Sequence, residues 1–338
     1  MRKHYEIGSE FWDVPAGEKD SGLFPGGAQW YLSGRAALRA IIKELSGIRS
    51  VELPGWCCDS MIRPFAEAGI KTEFYPVYPG GTLRQEPSFD CDAILIMDYF
   101  GFTGTSPDVS GYGGKVIRDV THSLFSASYA DAGYYFGSLR KWCGIKTGGF
   151  AFAGDGHKLP AAEGNDGGYT ALRKKAMSLK DCYINGKPGP DGMPVTGKEY
   201  LGIFGEAEQM LDGIESAPAD ETDIALAHKL DTEFIIKRRR ENARLLMSAF
   251  PGSLVFGEPG DGDCPLFVPL MVPGGKRDSL RRHLIDNDIY CPVHWPLTEY
   301  HGPDEKTAVL YRDGLSLVCD QRYGEEDMLH IVNTIKSF

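Results

Sequence analysis

Hydrophobic residues in the first half of the chain fall into short apolar runs separated by stretches of helical spacing. Residues 93–97 read Ala-Ile-Leu-Ile-Met with no polar interruption. That is the pattern of a strand covered on both faces, as in a parallel sheet. Val51-Glu52-Leu53 (closed by Pro54-Gly55), residues 71–78, Val116-Ile117, Tyr134-Tyr135-Phe136 and residues 150–153 predict further strands. Between them, residues 35–46 place Ala36, Leu38, Ile41, Ile42 and Leu45 on one helical face, and residues 59–69 form a helix closed by Gly69. Strand and helix alternate at intervals suited to βαβ units, which predicts an α/β fold around a mainly parallel sheet. Ligands in such sheets gather at the carboxyl ends of the strands. Asp98, Tyr99 and Asp119 fall at such ends and are expected to lie close in space.

The remaining pattern is less regular. Residues 1–27 are polar and carry Pro and Gly, the signature of an irregular arm. Residues 154–168 read as a loop, and 185–197 (NGKPGPDGMPVTG) must be irregular. Helices are predicted near 169–183 and 198–214, followed by one long helix over 223–249. Residues 266–272, 277–287, 316–318 and 325–336 then alternate strand, helix, strand, helix. The chain of 338 residues is therefore expected to form a large domain over 1–230 and a smaller C-terminal α/β domain over 231–338.

Composition narrows the partners. Net charge is −11, which argues against nucleic acid, since phosphate backbones need basic surface. The run Lys237-Arg238-Arg239-Arg240 reads first as a solvated helix face. No apolar run approaches the length of a membrane span, and the opening MRKHYEIGSEFW is too polar for a secretory leader. Eight cysteines occur without a Cys-x-x-Cys spacing, so free thiols in a reducing cytoplasm are expected. Cysteines and histidines are too scattered for a zinc site, and no Gly-x-Gly-x-x-Gly follows a strand.

Candidate chemistry concentrates in one stretch. Asp119 ends a predicted strand and His122 follows three residues later; Ser138 and Lys141 lie on a turn after the next strand, and Gly148-Gly149 come seven and eight residues after the lysine. Pyridoxal phosphate (PLP) requires this combination. A lysine forms its Schiff base, a carboxylate keeps its pyridine nitrogen protonated, and a hydroxyl holds its phosphate. Lys141, Asp119 and Ser138 fit those roles. Ser33, Gly34 and Arg35 precede the helix of residues 35–46, whose free N–H groups form an anion site suited to the phosphate.

With these residues in view, the chain resembles the DegT/StrS sugar aminotransferases, a family of fold-type I PLP enzymes. The resemblance rests on Asp119-x-x-His122, on Lys141 with Gly148-Gly149, on Ser33-Gly34-Arg35-Ala36-Ala37-Leu38, and on Leu53-Pro54-Gly55-Trp56-Cys57-Cys58. It covers roughly residues 28–155 and more loosely 225–335. It implies the aspartate aminotransferase-like fold, PLP as cofactor, and a homodimer with the active site at the subunit interface. It also implies transfer of an amino group from an amino-acid donor, glutamate being expected, to a keto acceptor such as a nucleotide-linked keto sugar. Trp56 suits the ring-stacking role by chemistry, whereas the family register puts that role nearer Cys58. His122 is expected at the cofactor's ring oxygen or behind Asp119. Tyr99, Arg140, His294 and Arg322 are candidates for substrate contact, Arg322 through a substrate carboxylate. Two alternatives stay open: a PLP-dependent lyase or decarboxylase acting on an amino acid, and a PLP-fold binding protein without turnover.

Overall fold

The computed structural model describes residues 4–126 and 128–338. The N-terminal arm contributes β1 (Ile7–Gly8), and β2 (Gln29–Tyr31) leads into helix α1 (Gly34–Glu44). Strand β3 (Ser50–Pro54), helix α2 (Asp59–Glu67) and strand β4 (Lys71–Tyr75) follow. A small hairpin, β5 (Val77–Pro79) with β6 (Leu83–Gln85), precedes β7 (Ala93–Met97). The run expected as one strand over 71–78 thus breaks at Pro76, which has no N–H for a sheet ladder. Strands β8 (Lys115–Asp119), β9 (Tyr134–Ser138) and β10 (Gly149–Ala153) complete a seven-stranded sheet of order β2-β10-β9-β8-β7-β3-β4. Pairs β3–β4, β3–β7, β7–β8 and β8–β9 are parallel, while β10 runs antiparallel to β9 and β2. Every residue of β7 is buried, as its apolar run required.

Beyond the sheet come α3 (Tyr169–Asn185) and α4 (Tyr200–Asp212), which pack on each other. The helix expected over 223–249 is two helices, α5 (Glu221–Ala227) and α6 (Thr232–Ala249). Two aspartates start them: Asp220 accepts from Thr222 N, and Asp231 accepts from Phe234 N. Such caps favour a fresh helix start over continuation. The arm also pins the break, because Asp231 N donates to Pro15 O.

The rest of the chain comprises β11 (Phe267–Met271), α7 (Arg277–Asp286), β12 (Ile289–Tyr290), α8 (Glu305–Asp313), β13 (Gly314–Val318) and α9 (Glu325–Lys336). Strands β11 and β13 pair antiparallel, and β1 of the arm pairs parallel with β12. The arm is therefore tied to its own chain rather than loose. Glu6 pairs with Lys180 at 2.7 Å, and Gly17 N donates to Lys229 O. One hydrophobic core runs through the sheet, α1, α2, α6 and α9, while α3 and α4 close over two small clusters of their own. Among the described residues, no helix is long and apolar enough to cross a membrane.

Candidate active site

Two cavities meet at Lys141. The first, about 520 Å³, lies at the carboxyl ends of β8 and β9 and is lined by Asp119, Ser138 and Lys141, by Ser33, Gly34 and Arg35, and by Cys58. The second, about 460 Å³, is lined by His294, Arg322, Phe267 and Leu201 among others. Glu10, Arg140, Lys141 and Glu208 line both.

Topology places the candidate groups. Asp119 is the last residue of β8, sits between parallel strands and is buried. Its carboxylate accepts from Thr121 N at 2.8 Å. Burial raises its pKa above the ordinary carboxylate value, opposed by the Thr121 hydrogen bonds and by Lys141. Lys141 ends a short 3₁₀ turn, Leu139–Lys141, directly after β9. Leu139 N donates to Gly148 O, and Trp142 Nε1 donates to Thr121 O at 2.7 Å. The turn is thereby fastened to the Gly148-Gly149 segment and to the turn after Asp119. Lys141 Nζ lies 3.0 Å from His122 Nε2. His122 is fully buried, and its pKa is held well below the usual imidazole value by burial first, then by Lys141 and His294. Its ring is therefore neutral.

The opening turn of α1 forms the far end of the first cavity. Ser33 is the N-cap, its Oγ accepting from Ala36 N at 3.2 Å. Gly149 packs so tightly against this turn that a Cβ there would stand 2.1 Å from the carbonyl of Ser33, and a Cβ on Gly34 would touch Ser138. Two glycines thus bring the strand end, the serine and the helix start together.

These residues fit PLP. An amine, a buried carboxylate and an anion-binding helix start line one cavity. His122 Nδ1 is buried with no hydrogen-bond partner, and buried polar atoms in folded proteins are nearly always satisfied. His122 lines neither cavity and meets Lys141 through its other nitrogen, so it stands behind the lysine rather than at the cofactor, and the fit rests on the donor set and on the α1 turn that Gly34 and Gly149 keep open. Lys141 would hold the aldehyde end, Asp119 the ring nitrogen, and the Ser33–Arg35 turn with Ser138 the phosphate.

Several expected site residues lie elsewhere. Trp56 does not line the cavity: it is in the core, stacked on Tyr99 with centroids 5.2 Å apart, and its Nε1 donates to His294 O at 2.7 Å. Two residues further on, Cys58 reaches the cavity as the N-cap of α2. Tyr99 is not substrate-facing, because its hydroxyl donates to Trp56 O inside the core. Arg322 lines the second cavity, but its guanidinium is committed to Asp320 at 2.8 Å and to the carbonyls of Ser9 and Glu10, and it lies 4.0 Å over the Phe11 ring. It fastens the arm. His294 does line the second cavity; burial and then Lys141 push its pKa down to about 3, and its Nδ1 meets Ser316 Oγ at 2.8 Å. Arg140 pairs with Glu208 of α4, and Arg35 pairs with Asp212 at 2.6 Å.

Four further residues surround the site; Trp295 directly follows the candidate His294 in sequence, whereas the other three carry no motif. Thr121 lines the first cavity, and only its place two residues after Asp119 could have singled it out. Trp295 stacks on His122 at 5.7 Å, with Lys141 Nζ 5.8 Å from its ring. Glu208 and Asp212 stand four apart on α4, one helical turn, a spacing that signals a shared face but no partner.

No family model matches the chain, and no curated protein matches it in sequence. Solved structures do. A DegT/DnrJ/EryC1/StrS aminotransferase from Brucella abortus superimposes with TM-score 0.60 at 16% identity, over 92% of this chain and 85% of that one. A putative sugar aminotransferase from Streptococcus pneumoniae in its PMP form gives TM-score 0.60 at 15% identity, over 98% and 97%. The GDP-4-keto-6-deoxy-D-mannose-3-dehydratase of E. coli with bound hydrated PLP gives 0.58 at 13% identity, over 91% and 87%. Likeness at such identities is a likeness of fold, and the chain has the PLP-dependent aminotransferase fold.

Proposed function

We propose that this protein is a PLP-dependent aminotransferase that takes an amino group from an amino-acid donor, glutamate first among them, and delivers it to a keto acceptor such as a nucleotide-linked keto sugar. One observation carries the reading: Lys141, Asp119 and the Ser33–Arg35 turn line a single cavity. The sugar aminotransferases that share the fold support it. The dehydratase on the same fold means that the reaction has to be argued from the site.

Bound PLP supplies an electron sink for charge developing on the substrate carbon. Lys141 is the amine that would bind the aldehyde end, and its free form would carry a proton on and off that carbon. Neutral His122, 3.0 Å away, is a partner for the lysine that adds no charge beside it. Asp119 is a buried carboxylate whose pKa is raised by that burial; a protonated ring nitrogen would be its partner. The second cavity opens on the same lysine and is the place for the substrate body, with His294 in its wall.

We extend the reading to a cytoplasmic homodimer whose two-fold interface completes the site, the closed two-fold dimer being the commonest assembly. Light scattering that finds a monomer at full PLP occupancy would contradict that extension. The test of the function itself is direct. Protein loaded with PLP should lose its visible absorbance on adding glutamate and release the keto acid. Borohydride reduction and peptide mapping should place the pyridoxyl group on Lys141. A label on Lys146, whose amine pairs with Asp223 at 2.6 Å, or elimination products without keto acid, would overturn the assignment.

A further inference from the structure

The charged groups of the first cavity cancel. Its cations are Arg35, Arg140, Lys141 and Arg173. Its anions are Glu10, Asp119, Glu208 and Asp212, so four positive charges face four negative ones and the net is zero. A phosphate monoester carries about −1.5 to −2 at pH 7. Placing it in a neutral, partly buried site that also holds four carboxylates is unfavourable. The site suits a dianion best once the guanidinium groups beside the α1 turn are freed of their carboxylates.

Two of the carboxylates are arranged to leave. Asp212 and Glu208 lie one turn apart on α4, and each neutralises a guanidinium beside the α1 anion turn: Asp212 holds Arg35, and Glu208 holds Arg140. Within each pair the arginine is sheltered and the acid is not. Side-chain exposures are 16% for Arg35 against 52% for Asp212, and 14% for Arg140 against 45% for Glu208. A released Asp212 goes straight into water. A released Glu208 keeps Arg173, which donates to it at 2.9 Å. Arg140, held from below by the Tyr169 ring at 5.7 Å, also has a buried Nε with no partner. It has donor capacity that Glu208 does not use. Helix α4 itself rests on two small clusters, shared with α3 and with Leu32 just after β2, rather than on the main core.

We infer that Glu208 and Asp212 are built-in competitors of the cofactor's phosphate: from α4 they occupy Arg140 and Arg35, and a phosphate dianion displaces both carboxylates to reach the two guanidinium groups. With Asp212 in water and Glu208 turned to Arg173, the guanidinium groups of Arg35 and Arg140 are freed, two positive charges beside the α1 turn for the incoming group. The pair of acids sets selectivity, because a ligand without a phosphate cannot displace them. This inference rests on the reading of the cavity as a PLP site.

The test measures binding rather than turnover. Dissociation constants for PLP, for pyridoxal without phosphate and for inorganic phosphate are determined for the wild-type chain, Asp212→Asn, Glu208→Gln and the double variant. Each amide should tighten PLP and inorganic phosphate by roughly twofold to fivefold, the range expected on removing one half-exposed competing ion pair, while pyridoxal stays unchanged. Unchanged or weaker phosphate binding in the variants would overturn the competition, as would an equal gain for pyridoxal. In the wild-type chain, hydrogen exchange in residues 205–212 should accelerate on saturation with inorganic phosphate; unchanged or slower exchange would count against it independently of any variant. Should the wild type bind no PLP at all, the functional reading falls; should it bind PLP with all variants alike, only the competition does.

Discussion

Lys141 and Asp119 enter the cavity from the carboxyl ends of β9 and β8, inside the continuous core that runs through the sheet. Glu208 and Asp212 enter it from α4, which packs with α3 over clusters of a few residues each. On the sheet side, each candidate group is fixed by backbone partners and by a buried ring: Thr121 N holds Asp119, and Trp142 lies under the lysine turn with Arg239 4.5 Å over its face. On the helical side, the contacts are ion pairs with half-exposed acids. Pairs of that kind contribute about 1 kcal/mol or less, whereas a buried aromatic contributes several. The difference separates a rigid wall that holds the chemistry in register from a wall that can move at low cost.

That contrast can be broken in several ways, beginning with the largest effect. Lys141→Ala should abolish borohydride labelling and transamination while leaving the unfolding midpoint nearly unchanged, since the amine faces a cavity. Detection of a pyridoxyl label in the variant would refute the rigid-wall assignment. Trp142→Ala should destabilise the whole fold by about 3–5 kcal/mol, the range for truncating a buried aromatic, read by denaturant unfolding. A loss under 1 kcal/mol would show that the lysine turn does not depend on this anchor. Asp119→Ala should retain the lysine label but slow transamination on the order of a hundredfold, as lost electrostatic contacts at reacting centres typically do.

Acid should act on the same wall. The His294 pKa is lowered from 6.5 to about 3, so the unfolded chain binds a proton that the folded chain refuses between those values. Stability from this group is complete above 6.5 and is lost as pH falls. At about 1.4 kcal/mol per pH unit, the drop from 6.5 to 5 is about 2 kcal/mol. His122 adds in the same direction. Asp119, raised by burial, works in the opposite sense just above its ordinary value of 3.8. His294→Asn should flatten the slope between pH 6.5 and 5; an unchanged slope would show that the imidazole is not the titrating group. The smallest effect belongs to the helical wall. Phe204→Ala, in the small cluster with Ala176 and Tyr200, should speed hydrogen exchange in α3 and α4 far more than in β7, because regions outside the main core open sub-globally. Equal acceleration in β7 would erase the distinction between the walls.

Much of the sheet side was legible in advance. The apolar run Ala93–Met97 and the shorter runs around it specified a parallel sheet, because only a strand buried on both faces dispenses with alternation. Asp119, Ser138, Lys141 and Gly149 could be read because strand-end residues and a fixed lysine-to-glycine spacing are local in sequence. The helical side was not legible. A period of four between Glu208 and Asp212 says that they share a face, but nothing in the sequence says that Arg35 and Arg140, 177 and 68 positions away, are what they meet.

Trp56 shows the limit from the other direction. Its type suits ring stacking, yet the chain turns after β3 so that Trp56 packs on Tyr99 in the core and Cys58 meets the cavity. Arg322 offered an apparently free guanidinium, and the arm consumed it. The break between α5 and α6 lay in two aspartates that also suit an exposed helix face; the arm's contact to Asp231 decided which role applied. The sequence alone determined most of the elements, the parallel sheet and the candidate amine and carboxylate, because these follow from periodicity and short-range spacing. Tertiary structure alone decided which charges are neutralised, which aromatics are core and which wall can yield, because those outcomes depend on partners brought together by the fold from distant parts of the chain.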